Sequence, residues 1–276
     1  MSGFAALAGN YDGFIVDLWG VVHNGIEPYP GVLDCLNQLR ARSKKLVFLS
    51  NAPRRAAAVG HALAAMGIGP TLYAGIMSSG EAVHTALRHR TEPDFAALGS
   101  KFYHLGPERD RDIFDSLPLL EVATPAAADF LLNTGPDDRL GPEDPSVYDP
   151  ILRDALSVGL PMICANPDLE VVRDGKRIIC AGLLAQIYED RGGKVINRGK
   201  PDPAIYAPTL ALLGTEKPRT LAIGDSLRTD MQGAKAAGID ACWVLSGIHA
   251  THPEDAPEEA KRAGVAPVAI LRNFSW

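Results

Sequence analysis

Strand and helix alternate at both ends of the chain, and each strand ends in a polar cluster. This pattern constrains the fold more than any other feature of the sequence. Gly13-Phe14-Ile15-Val16-Asp17-Leu18-Trp19 is a short β-branched and aromatic run bounded by glycine, and it reads as a buried strand. Pro30-Gly31 then opens a stretch with helical spacing of Val32, Leu33, Cys35, Leu36 and Leu39, ending near Ser43. Leu46-Val47-Phe48-Leu49 is a second strand that runs into Ser50-Asn51, and the Ala-rich segment from Arg54 to Met66 is helical, with Gly67 past its end. The rhythm returns late. Ala204 to Leu213 reads as a helix, Thr220-Leu221-Ala222-Ile223 as a strand ending in Gly224-Asp225-Ser226, Met231 to Ala237 as a helix, and Cys242-Trp243-Val244-Leu245 as a strand ending in Ser246-Gly247. Such alternation implies a parallel sheet with right-handed crossovers, an α/β fold.

The middle breaks the pattern. Phe102-Tyr103-His104-Leu105, Asp129-Phe130-Leu131-Leu132 and Pro161-Met162-Ile163-Cys164 are further strands, and Asp137 to Pro150, rich in Pro, Asp and Gly, reads as a long surface loop. The expected division is a core of residues 1–79 and 186–276, with residues 80–185 forming a smaller α/β domain inserted into it. A chain of 276 residues is long enough for this and buries enough surface to need no disulfide or metal staple. The tail from His252 to Ala263 is charged and helical, and Val265 to Leu271 is expected to add an edge strand.

Composition narrows the function. With 27 Lys plus Arg against 33 Asp plus Glu, the net charge is −6 and no basic block exists, so a nucleic-acid partner is not expected. No uncharged apolar run approaches ~20 residues, so no membrane span is expected. Cys35, Cys164, Cys180 and Cys242 form no CxxC pair, which disfavours zinc and suits reduced thiols. Met1 to Asn10 lacks a basic segment and a long apolar stretch, so a cytoplasmic location is expected.

The polar clusters carry the chemistry. Asp17, Ser50-Asn51 and Asp225 with Asp230 fall at or beyond strand ends, the edge where open α/β sheets bind ligands, and Lys200 belongs with them. A carboxylate there can attack phosphorus, a second can share Mg²⁺ with it, a hydroxyl can hold phosphoryl oxygens, and a lysine can balance the anions.

In order, Asp17-Leu18-Trp19-Gly20-Val21, Leu49-Ser50-Asn51, Gly199-Lys200-Pro201 and Gly224-Asp225-Ser226-Leu227-Arg228-Thr229-Asp230 resemble the four motifs of the haloacid dehalogenase superfamily. The likeness is to the subclass IIA phosphatases of the NagD and pyridoxal-phosphate-phosphatase type, and it covers nearly the whole chain. It implies a Rossmann-like core with an inserted C2-type cap that closes over the site, and Asn166-Pro167-Asp168 matches a turn of that cap. It implies Asp17 as nucleophile and Mg²⁺ ligand, the main-chain carbonyl of Trp19 and the carboxylate of Asp225 as further ligands, and Asp230 as a water-mediated ligand or a partner of Lys200. Lys200 stabilises the aspartyl-phosphate stage; Ser50 and Asn51 contact phosphate or substrate, and Asn166 and Asp168 contact substrate. Arg54, beside Arg55 at a helix start, is a candidate for an anionic substrate. The partner implied is a small phosphorylated metabolite, with a homodimer formed through the cap.

One residue departs from the family pattern. The usual phosphatases carry a second Asp, the general acid and base, where this chain has Trp19. Indole cannot protonate a leaving alkoxide, and loss of a general acid removes about 10²–10⁴-fold in rate. His23, in the flap of residues 20–25, is a candidate replacement. The alternatives are a catalytically weak phosphate-ligand binding protein and a hydrolase of carbon–halogen bonds.

Overall fold

The computed structural model describes residues 3–173, 176–246 and 254–276. The strands in chain order are β1 (Gly13–Val16), β2 (Lys45–Ser50), β3 (Gly75–Ser78), β4 (Lys101–Leu105), β5 (Leu120–Glu121), β6 (Phe130–Asn133), β7 (Met162–Cys164), β8 (Glu170–Arg173), β9 (Lys176–Ile179), β10 (Val195–Asn197), β11 (Thr220–Gly224), β12 (Asp240–Val244) and β13 (Ala269–Leu271). The described residues fall into two compact units. One contains the described residues within 1–50, 57–77 and 200–276, the other those within 51–56 and 78–199.

The first unit is built on a sheet of order β13-β12-β11-β1-β2-β3. β1 pairs in parallel with both β2 and β11, β11 with β12, and β12 with β13. All four residues of β1 are buried, as a central strand covered on both faces requires. From β1 the chain winds outward through β2 and β3, and later through β11, β12 and β13 on the other side. The order therefore reverses between β1 and β11, which makes the carboxyl ends of these two strands the topological switch point. The helix Val32–Ala41 shows why its sequence spacing is legible. Val32, Cys35, Leu36 and Leu39, at helical spacing, are its buried residues.

The second unit has a five-stranded sheet of order β10-β7-β6-β4-β5, all parallel, and a separate antiparallel hairpin β8-β9. Alternate residues feed two cores. Leu131 of β6 and Met162 and Cys164 of β7 pack with Leu184 and Tyr188, whereas Phe130, Leu132 and Ile163 pack with Val83, Leu87 and Phe102. With both faces covered, the strands read as unbroken apolar runs.

Several boundaries differ from the sequence expectation. The second unit extends to residue 199 because Leu184, Ala185 and Tyr188 of the helix Ala181–Asp190 are core residues of that unit, and a division at residue 186 would cut the helix. Residues 51–56 belong to it as well, which moves Asn51 and Arg54 out of the expected core. β1 stops at Val16, so Asp17 to Trp19 lie beyond the strand. The expected loop 137–150 is in part folded: Pro145–Tyr148 is a 3-10 turn, and Tyr148 is buried with its hydroxyl donating to the Gly141 carbonyl at 2.7 Å. The late helix spans Ala256–Arg262; residues 252 and 253 of the expected segment lie outside the described residues, as does Gly247. The expected edge strand is β13. Among the described residues no helix is long and apolar enough to cross a membrane.

Candidate active site

In the first unit the structure gathers the expected catalytic and metal residues at the switch point. Asp17 follows β1 and Asp225 follows β11. Ser50 is the last residue of β2 and is buried. Asp230 sits in a π-helical turn, Leu227–Met231, capped by Ser226, whose side chain accepts from the Thr229 N–H. Such turns recur at functional sites because the wider turn re-aims a side chain. Here Asp230 does not cap the following helix. Its Oδ2 accepts from the Ser226 N–H at 3.2 Å and its Oδ1 accepts from Lys200.

Lys200 Nζ lies 2.6 Å from Asp17 Oδ1 and 2.7 Å from Asp230 Oδ1, and its side chain is 3% exposed. It is not a solvated loop charge. One ligand atom each from Asp17, Asp225 and Asp230 lies within 4.8 Å of the others, and all three residues are buried. Three carboxylates thus crowd together, with the Lys200 ammonium bonded to two of them. Burying like charges this close is costly unless a further cation joins them. Hard oxygen donors of this kind fit Mg²⁺, so the donor set suits the metal implied by the sequence.

Two glycines make this packing possible. A Cβ on Gly224 would lie 2.1 Å from Asp230 Cγ, and one on Gly20, whose φ is +82°, would lie 2.1 Å from Asp225 Oδ2. Side chains at either position would displace the carboxylates, and Gly20 also occupies the left-handed region.

Trp19 is half-buried and packs under the flap. Gly25, at φ +93°, gives it room, since a Cβ there would lie 2.3 Å from the indole Cη2. Asn24 Oδ1 accepts from the N–H groups of Ile26 and Glu27, both at 2.9 Å, and closes the turn. His23 meets the indole edge-on, with ring centroids 5.8 Å apart. Its Nδ1 accepts from the Gly25 N–H at 3.0 Å, and burial pushes its pKa down to about 4. Burial therefore favours its neutral form, which weakens it as a proton donor. Burial and the charge of Asp225 push the Tyr29 phenol up.

The remaining expected residues belong to the second unit. Asn51 Nδ2 donates to Asp168 Oδ1 at 2.9 Å, and Asn166 Oδ1 accepts from the Asp168 N–H at 3.0 Å. Ser79 Oγ donates to Asn51 Oδ1 at 3.3 Å. Gly182 presses on this turn, where a Cβ would lie 2.3 Å from the Pro167 carbonyl oxygen. Asn51, Asn166 and Asp168 are thus brought together. Arg54 takes another partner, Asp110, at 3.1 Å. Sequence reasoning missed Asp110 and Glu81, the carboxylates that hold Arg54 and Arg55. Asp110 stands 56 residues from Arg54 in a segment with no motif, so no local signal marks it. The four cysteines are buried and form no disulfide.

The chain matches the family described as haloacid dehalogenase-like hydrolase over residues 14–118 and the HAD-hydrolase-like family over residues 197–274. Its fold superposes on a haloacid dehalogenase-like hydrolase from Brucella suis 1330 with a TM-score of 0.86 and 30% identity, covering 99% of each chain. It is 27% identical over 266 residues to human glycerol-3-phosphate phosphatase, covering 88% of this chain and 81% of that protein. Its match to ribonucleotide monophosphatase NagD of Escherichia coli is 34% identical over 90 residues, 33% of this chain and 35% of that protein. With the parallel-sheet core and the ordered motifs, these likenesses establish that the chain belongs to the haloacid dehalogenase-like hydrolases, with NagD-type relatives.

Proposed function

We propose that the chain is a Mg²⁺-dependent phosphatase that hydrolyses a small phosphorylated metabolite through an aspartyl-phosphate, and that it favours leaving groups needing no proton. The observation that supports this most is the buried constellation of Asp17, Lys200, Asp225 and Asp230 at the switch point. Relatives named as glycerol-3-phosphate phosphatase and ribonucleotide monophosphatase support the substrate class.

In this reading a carboxylate oxygen of Asp17 attacks phosphorus, the bond from phosphorus to the leaving oxygen breaks, and the leaving group departs with the electron pair. Water then attacks the phosphorus of the aspartyl-phosphate, which releases phosphate and restores the carboxylate. Lys200 holds Asp17 in place and offsets charge on the transferred group. Asp17, Asp225, Asp230 and the carbonyl of Trp19 would hold Mg²⁺, which when bound neutralises phosphoryl oxygens. Ser50 and Asn51 bind phosphate, and Arg54, Asn166 and Asp168 bind the rest of the substrate. The second unit acts as the cap that selects it, dimerisation runs through that unit, and the protein works in the cytoplasm.

A second reading, a phosphate-ligand binding protein with little turnover, draws on Trp19 and the neutral His23. The three-carboxylate cluster favours phosphoryl chemistry over carbon–halogen hydrolysis.

The test is phosphate release from phenyl phosphate. It is expected with Mg²⁺ and should fall to background with EDTA. Equal rates in both conditions would contradict the metal assignment, and saturable binding without release would favour the second reading.

A further inference from the structure

Two side chains at the end of β12 reach the segments that hold Asp225. β12 pairs in parallel with β11, and Trp243 stands opposite Gly224, the last residue before Asp225. Trp243 is fully buried, and a buried indole N–H needs an acceptor. Its Nε1 donates to the main-chain carbonyl of Asp225 at 2.9 Å. Packing fixes the ring, because Trp243 shares one apolar cluster with Leu245, Ala256, Ala260 and Val265. Met231, which ends the π-helical turn carrying Asp230, is buried in the same cluster, and Leu227, which begins that turn, packs against it.

Ser246, two residues after β12, makes the second contact. Its Oγ donates to the Gly20 carbonyl at 2.7 Å. Gly20 is the residue whose Cβ, if it had one, would strike Asp225 Oδ2, so its backbone walls the carboxylate. The Gly20 N–H donates to the His23 carbonyl at 3.1 Å, which ties the same point to the flap. Asp225 is therefore held from two directions, by the indole at its main chain and, through Gly20, by Ser246 beside its carboxylate. Both side chains act through another residue.

We propose that Trp243 and Ser246 are positioning residues that fix the aim of the Asp225 carboxylate and thereby set the cation affinity of its cluster with Asp17 and Asp230. Mg²⁺ demands near-ideal octahedral geometry, so an oxygen donor free to swing binds it less well. Partners that orient a metal ligand contribute about 10–100-fold in affinity. The inference deepens the phosphatase reading and rests on it for the identity of the cation.

The experiment titrates Mg²⁺ into the wild type, Trp243→Phe, Ser246→Ala, Ser246→Thr and Val265→Ala. Binding is read without substrate, by calorimetry and by the rise in melting temperature, and turnover by phosphate release from phenyl phosphate over the same Mg²⁺ range. Trp243→Phe keeps an aromatic ring in the core but loses the donor, and its Mg²⁺ half-saturation should rise by ~10–100-fold. Ser246→Ala should raise it by ~3–10-fold, and Ser246→Thr, which keeps the hydroxyl, should match the wild type. Ser246 is half-buried, so Ser246→Ala carries the test even if Trp243→Phe does not fold. In both weakened variants saturating Mg²⁺ should restore kcat, because the reacting groups are intact. Val265→Ala loosens the same apolar cluster without removing either hydrogen bond, so it should lower the melting temperature and leave Mg²⁺ affinity unchanged. Wild-type affinity in Ser246→Ala and in any folded Trp243→Phe, or an equal loss in Val265→Ala, overturns the proposal alone. A wild type that binds no Mg²⁺ overturns the metal assignment, and the proposal with it.

Discussion

Asp17→Asn is expected to lower phosphate release by about 10⁴-fold or more while leaving the protein folded. The amide has the shape of the carboxylate but is not a nucleophile toward phosphorus. The structure also indicates what happens to stability. Asp17 is one of three clustered buried carboxylates and shares Lys200 with Asp230, and Lys200 keeps Asp230 at 2.7 Å when Asp17 is neutral. Removing one negative charge relieves repulsion among the three, so the melting temperature without divalent cation should hold or rise. Phosphate assay and thermal unfolding on the same sample separate the effects. A folded variant with a rate within about tenfold of wild type would remove Asp17 from the mechanism.

Trp19→Asp is expected to change which leaving groups the protein accepts. In the wild type the indole occupies the position after Leu18, and His23 beside it is held neutral by burial. Aryl and acyl phosphates depart without a proton and should be hydrolysed, whereas alkyl phosphates such as glycerol phosphate should lag. A carboxyl group at position 19 restores a donor, so the alkyl-to-aryl rate ratio should rise by up to ~10²–10⁴-fold. Gly25 packs directly on the indole, so the smaller side chain also leaves space beneath the flap and some stability is expected to be lost. An unchanged ratio, or a wild type that already treats both classes alike, would mean that another group supplies the proton.

The core was legible because its signals are local. Val32, Cys35, Leu36 and Leu39 mark a helix face by spacing alone, and Asp17 and Asp225 stand out as charges directly after apolar runs. Their convergence followed from parallel topology, since strands that alternate with helices present the same end. Other features were hidden because they depend on tertiary packing. The helix Ala181–Asp190 carries no mark of which unit its Leu184 and Tyr188 join. The short strands β5 and β10 have too few residues to show a period. Arg54 is legible as a candidate anion contact at a helix start, but nothing local marks Asp110 as its partner, and the burial of His23 is seen only in the fold. The π-helical turn that aims Asp230 at Lys200 has no mark in the sequence either.

The most direct test of the account is rapid quenching of wild-type protein mixed with phenyl phosphate and Mg²⁺, followed by peptide mass spectrometry in acid. The account predicts one phosphoryl group on the peptide that contains Asp17, absent when Mg²⁺ is withheld and absent in Asp17→Asn. Turnover with no label on that peptide at any quench time, or a label on a different residue, would contradict it.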